Sequence, residues 1–154
     1  QRNAARKVEN LRARVERERA KEDATRLAFK TGAGGLMDVD FLAGGGLLEK
    51  GTGSFPAFPS VAAMLACTLP AERTRRLLAD YSALRVVEAR ARWVAGRAVE
   101  EIPTAGEGLA AIAELSEPGL TPEALLSRIG GVRRRIRSAY QAVVAAETID
   151  ALPT

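Results

Sequence analysis

The chain has 154 residues, 47% apolar and only 5% aromatic, with a net charge of +4. That length makes one domain, whose core must be filled by Leu, Val, Ala and Ile rather than by rings. There is no histidine, which excludes Ser-His-Asp and Cys-His nucleophilic pairs, His-based zinc sites and HD-type metal phosphohydrolases.

Cys67 stands alone, so an internal disulfide and a Cys-rich metal site are excluded as well. Within the apolar run Val61–Cys67 it reads as core packing. No apolar run reaches 18 residues and no charged-then-apolar leader opens the chain, so a soluble, cytoplasmic protein without membrane contact is expected. The mild arginine excess permits an acidic partner and does not call for nucleic acid. The chain begins at Gln1 rather than Met and enters a charged helical pattern at once, which reads as a piece of a longer polypeptide.

Residues 2–22 have helical spacing, with Ala4, Val8, Leu11 and Val15 as the apolar stripe. Arg12–Glu16 and Arg14–Glu18 are i,i+4 pairs worth ~0.3 kcal/mol each. The basic run Arg12, Arg14, Arg17, Arg19 and Lys21 alternates with glutamates and reads as a solvated, self-compensating face. A glycine turn follows. Lys30, Gly32, Gly34 and Gly35 are the candidate phosphate-contacting residues, because flexible backbone, unpaired N–H groups and a positive helix end can together cradle an anion. The competing reading is a tight connector whose glycines serve close packing.

The next helix, 35–50, is apolar nearly all round and should be buried on most sides. Gly44, Gly45 and Gly46 inside it cost roughly 2–3 kcal/mol relative to alanines. The helix is therefore expected either to break there or to receive another backbone closely. Asp38 and Asp40 lie two positions apart, and on a helix such carboxylates point to different sides and cannot share an ion. No catalytic residue and no metal ligand are assigned to this chain. Asp38, in the first turn, gains about 0.3–1 kcal/mol from the helix dipole. Asp40 lies with Leu36, Ala43 and Leu47, nearer the buried side, where an unpaired carboxylate is costly.

After a loop over 51–59, Ser60 is the N-cap of a short helix to Thr68. Pro70 starts a long one to about Arg97, with Leu77, Tyr81, Leu84, Val87, Ala91 and Val94 on one stripe. Thr104 and Glu107 have capping-box spacing for a helix ending before Pro118. Thr121-Pro122 opens the last helix, whose buried stripe is Leu125, Ile129, Val132, Ile136, Tyr140 and Val143. Arg133, Arg134, Arg135 and Arg137 read as a solvated face. No alternating strand pattern occurs. The expectation is an all-α bundle of five to six helices, with the Gly-rich turn before a buried central helix. The domain is placed at 1–147 and a C-terminal tail at 148–154.

The segment Lys30-x-Gly32-x-Gly34-Gly35-Leu36-x-Asp38-Val39-Asp40-Phe41-Leu42 resembles the Lys-x-Gly-x-Gly-Gly-[Ile/Leu]-x-Asp-Ile-Glu-Phe signature of glutamine synthetase adenylyltransferases. Leu84-Arg85-x-x-Glu88 and Ile102-Pro103 are similar to two further motifs of that family, and the likeness covers about residues 5–145. Asp40 stands where Glu is usual, and Gly44 where Gln is common. The resemblance implies a helical accessory domain following a nucleotidyltransferase domain of the same polypeptide, in an enzyme using ATP and magnesium. Glutamine synthetase and the PII signal protein are the partners it implies. It implies support of nucleotidyl transfer to and from glutamine synthetase in nitrogen regulation. The catalytic metal site is expected elsewhere, since Gly53-Ser54 has no Asp-x-Asp downstream. Arg85, from the matching helix, is the expected ion-pair partner of Asp40. Two alternatives remain: the helical domain of a PII-uridylyltransferase, which carries a similar glycine segment, or a stand-alone helical module docking an acidic partner.

Overall fold

A computed structural model describes residues 2–50, 56–57 and 60–150. Within them the chain forms α1 (Arg2–Arg19), β1 (Arg26–Leu27), α2 (Leu36–Lys50), α3 (Val61–Thr68), α4 (Ala71–Ala95), β2 (Ile102–Pro103), α5 (Glu107–Ser116) and α6 (Pro122–Asp150). The fold is essentially all-α, as the helical periodicity requires.

Local chemistry sets most of the helix ends. Ser60 Oγ accepts the Ala63 N–H at 3.1 Å and starts α3. Gly96, at φ +66°, closes α4 in the left-handed conformation. Thr121 Oγ1 accepts the Ala124 N–H at 3.2 Å, with Pro122 in the first helical position. The Thr104–Glu107 capping box does not form. Thr104 Oγ1 instead donates to the Ala24 carbonyl at 2.6 Å, and Gly106 caps α5.

Thr104 is drawn away because its neighbours form an unexpected ribbon. β1 and β2 pair antiparallel, Arg26 opposite Pro103 and Leu27 opposite Ile102. Strands of two residues are too short to leave an alternating pattern in the sequence. The ribbon nevertheless buries Ile102 and delivers the chain from β1 into the glycine turn.

α2 is the central element and packs against α1, α3, α4 and α6. It contributes Leu36, Val39, Leu42, Ala43 and Leu47 to the core. α4 adds Leu77, Leu84, Val87 and Ala91, and α6 adds Leu125, Ile129, Val132, Ile136 and Tyr140. Val94 departs from its expected stripe and is exposed. α2 does not break at its glycines. Instead α3 closes on it: a Cβ on Gly46 would lie 2.7 Å from Thr68 Cγ2, whereas one on Gly44 would meet nothing within 4 Å. Most of the loop expected over 51–59, with Gly53 and Ser54, lies outside the described residues. The expected tail begins as helix, since α6 runs to Asp150, and residues 151–154 lie outside the described part.

Candidate functional site

The turn between β1 and α2 is closed by its own backbone. Gly32 N–H donates to the Ala28 carbonyl and Gly35 N–H to that of Gly32, each at 3.0 Å. Leu36 and Met37 N–H groups donate to the Phe29 and Lys30 carbonyls at 3.1 and 3.0 Å. Gly34 N–H donates to Asp38 Oδ2 at 2.8 Å. The amides that an anion cradle would need are therefore already used, and Gly32, Gly34 and Gly35 are buried. The phosphate cradle expected from Lys30, Gly32, Gly34 and Gly35 is not what the backbone forms.

The glycines serve packing instead. Gly34 has φ +71°, and a Cβ there would come within 2.0 Å of the Arg133 carbonyl oxygen on α6. Only glycine satisfies both conditions. Lys30 turns toward α4, where its Nζ lies 3.7 Å from Oε1 of the buried Glu88.

The two carboxylates of α2 exchange the surroundings expected for them. Asp38 is fully buried and Asp40 is exposed. They do point apart, as two-residue spacing on a helix requires, but the helix is rotated so that Asp38 faces inward. Asp38 Oδ1 accepts from Arg12 Nε at 2.6 Å, and Arg137 Nη1 reaches Oδ2 at 3.3 Å. Arg12 is 1% exposed, and its Nη2 donates to the Gly32 carbonyl at 2.9 Å. Arg137 also binds Glu16 at 3.0 Å. Arg133 donates to the Ala33 carbonyl at 3.1 Å and grips Glu22 at 2.5 and 3.0 Å. Three arginines from α1 and α6 thus clamp one glycine turn.

Burial, with the Asp38 charge next in weight, pushes the Tyr140 phenol up to about 12. The Arg137 guanidinium sits 5.4 Å from the centre of that ring.

Asp40 and Arg85 do not form the expected direct ion pair. Asp40 Oδ1 accepts from the Tyr81 hydroxyl at 3.2 Å, while Arg85 Nη1 binds Glu88 at 2.5 Å. Desolvation raises the Asp40 pKa, opposed by the Tyr81 hydrogen bond and then by the Arg85 charge. Arg85 therefore acts on Asp40 across space only. Its nearer carboxylate lies three residues along its own helix, where side chains naturally meet.

Arg12, Arg133 and Arg137, each expected on a solvated face, lie inward instead: Arg12 is buried and Arg133 and Arg137 are half-buried, while on α1 it is Leu11 that is exposed, at 52%. The signal was present: Val8, Arg12 and Val15 stand at i, i+4 and i+7, which puts Arg12 on the apolar stripe. Ile129, Arg133, Arg137 and Tyr140 repeat the pattern on α6. A cation on an inward stripe requires a buried anion opposite, and Asp38 is that anion.

The fold and this cluster define an all-α domain built around a clamped glycine turn. Among the described residues no group of three or more His, Cys, Asp or Glu is placed to hold a metal ion. No helix is long and apolar enough to cross a membrane. No family profile and no solved structure matches the chain. Among curated proteins it is 31% identical over 130 residues to the bifunctional glutamine synthetase adenylyltransferase/adenylyl-removing enzyme of Idiomarina loihiensis. That match covers 79% of this chain and 13% of that protein. It is 44% identical over 64 residues to the enzyme of the same description from Xanthomonas campestris pv. campestris, covering 42% of this chain and 6% of that protein. The curated relatives of this chain are glutamine synthetase adenylyltransferases, and its all-α fold is consistent with a helical domain of that enzyme. The chain spans only about an eighth of the length of the first of them.

Proposed function

We propose that this chain is a helical accessory domain of a cytoplasmic glutamine synthetase adenylyltransferase/deadenylylase. In this reading it supports nucleotidyl transfer to and from glutamine synthetase, with the PII signal protein as the regulatory partner. The observation that carries the reading is the alignment of 79% of the chain with a relative named for both activities. The geometry adds support for an accessory role. Asp38 is neutralised by Arg12 and Arg137, Asp40 faces the other way, and the turn amides are spent on internal acceptors. In this reading ATP and magnesium, implied for the whole enzyme, are assigned to a nucleotidyltransferase domain.

The test uses glutamine synthetase, radiolabelled ATP and magnesium. The chain alone should transfer no label. The Idiomarina enzyme carrying this chain in place of its own corresponding segment should label glutamine synthetase. Labelling by the chain alone would overturn the accessory role. A folded, soluble chimera that transfers nothing would overturn the adenylyltransferase reading.

A further inference from the structure

A groove of about 440 Å³ lies between the first half of α4 and the middle of α6. Its floor is apolar, formed by Leu69, Leu77, Ala139 and Val143. Ala139 and Ala142 are small, so a third helix can approach the floor closely.

The rim is strongly basic. Four arginines, Arg73, Arg76, Arg134 and Arg135, face a single carboxylate, Asp80. Arg135 already neutralises Asp80 at 2.7 Å, and Arg76 is paired with Glu72 at 2.8 Å. Arg73 and Arg134 are exposed and have no ion-pair partner among the described residues. With Asp80 and Glu72 already paired, Arg73 and Arg134 leave the rim of this groove positively charged.

An apolar floor favours a ligand with an apolar face over a purely polar polyanion, and the two unpaired guanidinium groups favour an acidic ligand over a neutral or basic one. A groove between two helices is filled by a helix whose apolar side chains recur at i, i+3, i+4 and i+7. We propose that this groove docks an acidic amphipathic helix of a partner protein. Apolar side chains seat on Leu77, Ala139 and Val143, and flanking Asp or Glu side chains meet Arg73 and Arg134. The inference rests on the groove alone and stands apart from the adenylyltransferase reading.

The probe is a fluorescent synthetic helix of about 16 residues, ~24 Å long, with Leu on one face and Glu beside it. A scrambled peptide of the same composition and a version with Lys for Glu are the controls. The 154-residue chain should bind the probe and neither control, and binding should weaken as salt is raised. R73E/R134E should weaken it by about tenfold or more, with an unchanged melting temperature because both side chains are exposed and unpaired. Amide shifts on binding should cluster at residues 69–80 and 134–143. If the double variant does not fold, R73A and R134A are measured singly, and each should weaken binding. Equal binding of the scrambled peptide would overturn the proposal, as would shifts that cluster elsewhere. A concentration-dependent dimer that R73E/R134E disrupts would also overturn it, by making a second copy the occupant.

Discussion

Asp38 accepts three donors in a site closed to water: the Arg12 and Arg137 guanidiniums and the Gly34 amide. Removing one member of such a buried pair strands the other charge and costs roughly 3–5 kcal/mol. Asp38→Ala and Arg12→Ala should each lower stability by about that amount in denaturant titrations. The double variant should cost clearly less than the sum, and strict additivity would mean that the two side chains are not coupled. Asp40 should behave in the opposite way. Its folded pKa is raised above the ordinary 3.8 by desolvation, so its contribution is present below that pH and lost as pH rises through the elevated value. At pH 7 Asp40→Asn should therefore leave the melting temperature equal to or above that of the parent chain. Tyr140 extends the contrast to high pH. With its folded pKa near 12 against 10.0, its contribution is complete below pH 10 and is lost as pH rises toward 12. The stability gap between the parent chain and Tyr140→Phe should shrink across that window, and an unchanged gap would show that the phenol is not held protonated by its surroundings.

At the scale of elements, three glycines that look alike in sequence have different duties. Gly34 combines positive φ with contact against the α6 backbone. Gly34→Ala should cost about 3 kcal/mol or more, from left-handed backbone strain and overpacking together. Gly44 and Gly46 both sit inside α2, yet only Gly46 is covered, by Thr68. Gly44→Ala should stabilise the chain by about 0.5–1 kcal/mol, the ordinary gain in helix propensity. Gly46→Ala should destabilise it, because α3 must shift to admit the methyl group. Thermal melts of the three variants check the order, and a stabilised Gly46→Ala would mean that α2 and α3 are not in close contact. The ribbon is the element with the weakest sequence signal and an evident structural consequence. It holds Thr104 and so moves the N-cap of α5 to Gly106.

For the molecule as a whole, α1 acts as a lid on the charge cluster. It supplies Arg12 and Glu16, while α6 supplies Arg133 and Arg137, and the glycine turn lies between them. A chain lacking residues 2–19 should leave Asp38 with only Arg137 and the Gly34 amide, and should uncover the inner face of α2. It should bind a hydrophobic dye and lose its sharp unfolding transition. Retention of a cooperative melt at the parent temperature would show that α1 is only an appendage.

What the sequence determined by itself is the helical architecture. Spacing of Leu, Val and Ile at three and four positions needs no tertiary partner to be read, and Ser60 and Thr121 mark helix starts through contacts three residues away. The motif around Lys30 also pointed to the family of relatives before any geometry was known. What only the tertiary structure decided is the orientation of each helix about its axis, and hence which charges lie inside. Asp38 and Asp40 differ by about 200° of rotation, and nothing local says which one faces α1 and α6. Arg12 lies among glutamates that mimic a solvated face, and its inward position is settled by an acid 26 residues away. The use of the glycines was likewise decided at a distance, because a positive φ is shared by anion cradles and tight connectors alike. It is the carbonyl of Arg133, far along the chain, that makes Gly34 a packing residue.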